Sequence, residues 1–208
     1  MKCPHCTVSF HEELSYKSLG WDDEYSWNVS HCICPACKKM IIGVYNGANN
    51  SWIVYPKSLS RGPIPVEVDD VSVISDYTEA CLVLSDSPKA SAALSRRSLQ
   101  YILREKVKVK HADLSVEIQE VIDKNLLPAD LAENLDIIRN VGNFAAHPIK
   151  SKSTGEIVEV EPGEAEWNLE VLEELIEYTF VRPAKSRERK ELLNIKLADA
   201  GKPTIYKH

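Results

Sequence analysis

The sequence predicts a mainly α protein, a helical bundle preceded by a small N-terminal β zinc ribbon. Three observations carry this. Two CxxC pairs, Cys3-Pro4-His5-Cys6 and Cys34-Pro35-Ala36-Cys37, lie near the start. A stiff break follows at Arg61-Gly62-Pro63-Ile64-Pro65, where each proline removes an amide donor and biases the residue before it away from helix. Beyond the break, apolar residues recur at helical spacing. The expected organisation is a ribbon over 1–60, a linker over 61–66, a helical domain over 67–182 and a peripheral C-terminal helix and tail over 183–208.

Each CxxC places two thiolates on one tight turn, and two such turns complete a tetrahedral four-sulfur site. Cys3, Cys6, Cys34 and Cys37 are therefore the expected ligands, and soft thiolates in a closed tetrahedron suit structural Zn2+. Cys32 lies two residues before Cys34, and His5, His11 and His31 compete in principle, but the duplicated knuckle already supplies four ligands. Four thiolates leave no open coordination position, so this metal has no catalytic part. Tyr25 to Ile33, Met40 to Tyr45 and Trp52 to Tyr55 are rich in β-branched and aromatic residues and read as short strands, with turn chemistry at Asn46-Gly47 and Asn49-Asn50. Such strands cannot bury enough apolar area without the metal.

In the helical part, Ser75 is the expected N-cap of a helix through Asp86, with Tyr77, Ala80, Cys81 and Leu84 on its apolar face. Ser87-Pro88 starts the next, running to about Lys106 and burying Ala90, Ala93, Leu94, Leu99, Ile102 and Leu103. A third spans Leu114 to Asp123 with Val116, Ile118, Val121 and Ile122 apolar. Pro128 opens a fourth, which carries Leu131, Leu135 and Ile138 into Arg139-Asn140-Val141-Gly142-Asn143-Phe144-Ala145-Ala146-His147 before Pro148. Gly142 either admits a partner helix closely or marks a break. Ile157 to Gly163 reads as a hairpin or extended loop, Glu164 to Val181 as a helix closed by Arg182-Pro183, and the segment to Ala200 as a last, peripheral helix on the bundle or on a second subunit.

The chain has 208 residues, 44% of them hydrophobic, and a formal charge of −6, which argues against a uniformly basic nucleic-acid binder. The distribution matters more. Residues 96–110 carry Arg96, Arg97, Arg104, Lys106, Lys108 and Lys110 against Glu105, whereas 156–177 carry nine glutamates. Such runs are ordinarily solvated surface, and the basic one also suits a phosphate backbone. Arg96, Arg97 and Arg104, with Asn143, are the residues expected to contact nucleic acid. No long apolar run and no signal-peptide core occur, so a cytoplasmic protein without membrane association is expected. Nucleotide-loop, zinc-protease and serine-hydrolase signatures are absent.

Arg139, Asn143 and His147 are successive i, i+4 neighbours on a stripe roughly 12 Å long. They either bind and cut a phosphodiester or brace a helix end and a subunit seam, where cationic groups are favoured by the dipole.

Three segments together resemble a bacterial domain-of-unknown-function family (number 4145 type) that often follows a zinc ribbon and is related to the HEPN superfamily. They are Asp76-Tyr77-Thr78-Glu79-Ala80, Ser87-Pro88-Lys89-Ala90 through Leu94-Ser95-Arg96-Arg97-Ser98-Leu99-Gln100, and Ile138 through His147. The resemblance covers about residues 66–182. It implies a HEPN-like bundle of four or more helices, frequently a homodimer, whose relatives include metal-independent ribonucleases and inactive forms in toxin, antiphage and RNA-processing systems. In active relatives an arginine and a polar follower precede a histidine by four to six residues. Carried over, these are Arg139, Asn140 and His147, here with seven residues between the ends. A metal-free ribonuclease would use His147 as base and Arg139 as a phosphate fork, with Asn140 or Asn143 orienting the nucleotide or the imidazole. The rival expectation is a binding or regulatory module whose partner is RNA, DNA or protein.

Overall fold

A computed structural model describes residues 1–6, 8–57, 61–146 and 160–205, with the side chains of 140–146 outside that description. The chain divides into two compact units, Met1–Pro63 and Ile64–His208.

The first unit is a four-stranded antiparallel meander of β1 (Ser15–Trp21), β2 (Ser26–Ile33), β3 (Met40–Asn46) and β4 (Ser51–Tyr55), in the order β1-β2-β3-β4. Its central register pairs Val29 with Val44 and Cys32 with Ile41. The β3–β4 turn is closed by Asn46, whose Oδ1 accepts the amides of Ala48 (3.2 Å) and Asn50 (3.1 Å). The expected strands are present, and β1 is an addition to them. Its polar composition hides it, and a bulge with Gly20 at φ +119° interrupts its alternation. The ribbon's apolar core is small: Cys3, Cys32, Cys34 and Ile41, flanked by Met1, Phe10 and Leu14.

The second unit contains α1 (Val71–Val83), α2 (Pro88–Ile102), α3 (Leu114–Asp123), α4 (Ala129–Ala146), α5 (Pro162–Ile176) and α6 (Arg182–Asp199). The N-cap of α1 is Asp70, not Ser75. Its carboxylate accepts the amides of Ser72 and Val73, and its other oxygen takes the Tyr101 hydroxyl of α2 at 2.8 Å. Ser87 caps α2 as expected, accepting the Ala90 amide, with Pro88 in the first turn. On this helix Leu99 and Ile102, and Leu103 just after it, are buried as expected, but Ser91, Ala92, Ser95 and Ser98 point inward where Ala90 and Leu94 are only half-buried and Ala93 is exposed. Small serines permit close approach of α5, and Ser95 satisfies its hydroxyl by bonding the Ser91 carbonyl at 2.9 Å. On α3, Val116 is exposed and Glu117 takes the interior place.

The backbone of α4 stays helical through Ala146, so Gly142 is no break. The segment from His147 to Glu159 lies outside the described residues, and with it the first three residues of the expected hairpin or loop, whose last two, Pro162 and Gly163, open α5 instead. Arg182-Pro183 does not end a helix. Between α5 and α6 the chain makes a π turn over Glu177–Val181, in which the Arg182 amide bonds the Glu177 carbonyl five residues back. That wider turn replaces the regular ladder just before Pro183, and the chain runs on through it into α6. Among the described residues, no helix is long and apolar enough to cross a membrane.

Candidate functional site

The two cysteine turns converge at one end of the ribbon. The first is closed by the Cys3 amide on the Val8 carbonyl, the second by the Cys34 amide on Lys39 and the Lys38 amide on Cys34. Lys38 adopts the left-handed conformation that folds the second knuckle back. The four Sγ atoms of Cys3, Cys6, Cys34 and Cys37 lie within 4.8 Å of one another, with Cys3 to Cys37 and Cys6 to Cys34 both at 3.8 Å. This set could hold a metal ion. Amides of Cys37 and then Ala36, acting against burial, hold the Cys34 thiol down at about 6. Cys6 has the Val8 amide favouring its thiolate, yet burial and the adjoining thiols of Cys3, Cys37 and Cys34 push it up to about 12. Bringing four thiols together without a cation thus favours uneven ionisation, which a divalent ion would relieve.

Cys32 is not part of the cluster. It is buried in the ribbon core with its Sγ 3.9 Å from the Met1 sulfur, and burial raises its pKa. His5 is bound elsewhere, its Nε2 at 2.8 Å from the Met40 carbonyl and its ring edge-on to Tyr55.

In the helical unit the expected nucleic-acid contacts sit differently from a free basic face. Arg97 forks onto Asp76 of α1, with Nε to Oδ2 at 2.8 Å and Nη2 on Oδ1, and that hydrogen bonding raises its pKa. Two of the resembling motifs therefore meet as an ion pair. Arg104 is drawn to Glu117, a fully buried carboxylate, with Nε to Oε1 at 2.7 Å, while its Nη2 bonds the Ala112 carbonyl at 2.8 Å. The Ala112 amide completes the arrangement at 2.8 Å from the same Oε1. Arg96 is half-buried beside a small cavity lined by Ser95, Leu99, Leu114, Ile138 and Asn168, and burial lowers its pKa. Its Nη1 and the Asn168 Nδ2 have no hydrogen-bond partner among the described residues.

Arg139 bonds Gln119 of α3 at 3.1 Å and pairs with Asp136 at 2.7 Å. Asn140 and Asn143 lie on the helical backbone of α4, but their side chains are outside the described residues, as is His147. The structure thus brings together Arg139 with Asp136 and Gln119, Arg97 with Asp76, and Arg104 with Glu117.

The residues that sequence reasoning missed are the acids under these arginines and a second set of cations. Glu117 carried a signal, being a carboxylate in the apolar stretch Leu114-Ser115-Val116-Glu117-Ile118. The cations are Arg182, Lys185, Arg189 and Lys190, which with Ser186 and Leu193 line a cleft of about 450 Å3 along α6. Their i, i+3, i+7, i+8 spacing was visible in the sequence.

Fold and site together define a two-unit protein: a small antiparallel ribbon carrying a four-cysteine cluster, and a helical unit braced by arginine–carboxylate pairs, of which Arg104–Glu117 has a fully buried acid. Residues 78–194 match the family model described as Domain of unknown function (DUF4145), more than half of the chain, and the protein belongs to that family. No curated protein matches the chain, and no solved structure does.

Proposed function

We propose that this protein is a binding and regulatory module, a zinc ribbon joined to a HEPN-like helical domain, acting as a homodimer on a nucleic-acid or protein partner in a bacterial defence or toxin-type system. The observation that carries the reading is the state of Arg139. A planar arginine fork already engaged by Asp136 and Gln119 acts as a brace between α4 and α3, and would have to give up both partners to clamp a phosphate. The HEPN-like relation is supported by the order of its three motifs, which fall on α1, α2 with its cap, and, as far as Ala146, α4 of one helical unit. Zinc is supported by the sulfur geometry: a regular tetrahedron with Zn–S bonds of about 2.3 Å has edges of about 3.8 Å, and both close Sγ pairs stand at 3.8 Å.

The alternative, a metal-independent endoribonuclease using Arg139, Asn140 and His147, draws on the unbroken α4 backbone, which keeps Arg139 and Asn143 on one helical stripe. RNA cleavage in the presence of chelator, by wild type and by His147→Ala, separates the two. The binding reading expects no cleavage by either protein, a lower melting temperature for the variant and nearly unchanged RNA affinity. Chelator-resistant cleavage abolished by His147→Ala would overturn it in favour of the nuclease.

A further inference from the structure

The α5–α6 rod carries two opposite charge stripes arranged as mirror images about the π turn. Along α5 and into the π turn, Glu166, Glu170, Glu174 and Glu177 recur at spacings of about one helical turn. On α6, Arg182, Lys185 and Arg189 recur in the same way and Leu193 follows. Counted outward from the turn, Arg182 stands as far on one side as Glu177 on the other, Lys185 as Glu174, Arg189 as Glu170 and Leu193 as Glu166, beside half-buried Trp167.

Each stripe borders a cleft. Asp130, Glu173, Glu174 and Glu177 line one of about 360 Å3, and Arg182, Lys185, Arg189 and Lys190 line the cleft of about 450 Å3 already described. Glu177 and Arg182 belong to both, so the stripes adjoin. The π turn brings this about: in an uninterrupted α-helix residues five apart diverge by about 140°, and one extra residue in the turn reduces this to about 40°.

Nothing described in the chain covers α6. None of its side chains is buried, and Leu192, Leu193 and Ile195 are exposed. Whereas Arg97, Arg104, Lys124 and Arg139 each have a carboxylate, none of Lys185, Arg187, Arg189 and Lys190 makes an ion pair with a described residue. Like charges one turn apart destabilise an isolated helix, so the stripe gains from an acidic partner. Glu166 and Glu170 also have contacts within their own chain.

We infer that a second copy of this chain docks on the rod. Two rods crossing antiparallel about a two-fold axis at the π turn bring Arg182 to Glu177, Lys185 to Glu174 and Arg189 to Glu170, with Leu193 over Trp167, twice by symmetry. A nucleic acid fits this surface less well, because the adjoining acidic stripe and the net charge of −6 repel phosphate. The inference deepens the homodimer reading above by assigning its surface.

The test is sedimentation of the full-length protein with three charge-reversed samples. Wild type is expected to run at twice the chain mass. Lys185→Glu/Arg189→Glu, and separately Glu170→Lys/Glu174→Lys, are expected to weaken self-association about 100-fold, four small ion-pair contributions being reversed per dimer. A 1:1 mixture of the two variants is expected to regain the dimer, since every contact in the heterodimer again joins opposite charges. Circular dichroism at 222 nm confirms that both variants fold, and Lys185→Glu alone serves if a double variant does not. A monomeric wild type overturns both the homodimer reading and this surface. A dimer indifferent to the reversals, or a mixture that stays monomeric, overturns the surface and leaves the dimer standing. Loss of RNA retention by Lys185→Glu/Arg189→Glu at unchanged mass assigns the cations to nucleic acid instead.

Discussion

Replacing Arg104 with methionine isolates the structural role of the buried ion pair. The arginine stem survives as an apolar chain, but Glu117, with no exposed surface, keeps only the Ala112 amide at 2.8 Å. It loses the Arg104 Nε bond at 2.7 Å and the Nη2 contact at 2.7 Å, while the Ala112 carbonyl loses its 2.8 Å donor. Breaking one side of a buried pair costs about 3–5 kcal/mol. Because the Arg104 side chain is 29% exposed, water reaches part of the vacated space, and about 3 kcal/mol is the appropriate end of that range. For a helical unit of this size that corresponds to a fall in Tm of about 6–12 °C. Thermal and urea unfolding followed at 222 nm report the helical unit, which holds all the helix of the described residues. Glu117→Gln on the Arg104→Met background should recover part of the loss by removing the stranded charge. A single Arg104→Met variant within about 0.5 kcal/mol of wild type, or one that loses nucleic-acid retention at unchanged stability, refutes the structural assignment.

The metal centre predicts one equivalent of zinc per chain, and its loss in Cys34→Ser/Cys37→Ser. Chelation should red-shift the emission of the stacked pair Trp27 and Trp52 while leaving helical ellipticity intact, since a ribbon with so small a core depends on its metal. Asp76→Asn should destabilise the helical unit by about 1–2 kcal/mol, tempered by the exposure of Arg97. Urea midpoints check this. Tyr77→Phe removes the hydroxyl bond to Glu173 at 2.8 Å and should cost about 1 kcal/mol. Burial, then that bond, raises the Tyr77 pKa above its ordinary 10.0, so the contribution is fully present below pH 10 and fades only above it. The Tyr77→Phe penalty should therefore be flat from about pH 6 to about pH 9, and a penalty that changes sign across that window counts against the assignment.

Much of this architecture is legible where local chemistry decides it. Paired knuckles specify the cysteine cluster, Ser87-Pro88 marks the start of α2, and α3 begins and ends at Leu114 and Asp123 as its pattern implies. What escapes is decided by partners distant in sequence. The basic run at 96–110 reads as one surface because charge counting cannot see Asp76 under Arg97 or Glu117 under Arg104. The serine face of α2 escapes because apolar periodicity favours its alanines, while close packing against α5 favours any small side chain. The cap of α1 moves from Ser75 to Asp70 because Tyr101 contributes a bond from another helix. Pro183 is read as a stop because the rule for proline assumes a regular α ladder, which the preceding turn has abandoned.

The π turn at Glu177–Val181 also makes residue count a structural variable. Removing one residue from it would restore an ordinary ladder and rotate everything after Arg182 by about 100° about the rod axis. Composition, charge and helix content would be almost unchanged. Related chains that keep both stripes should therefore keep the length of this joint more strictly than its side chains. A single-residue deletion there should act like a key recut with its teeth on another side.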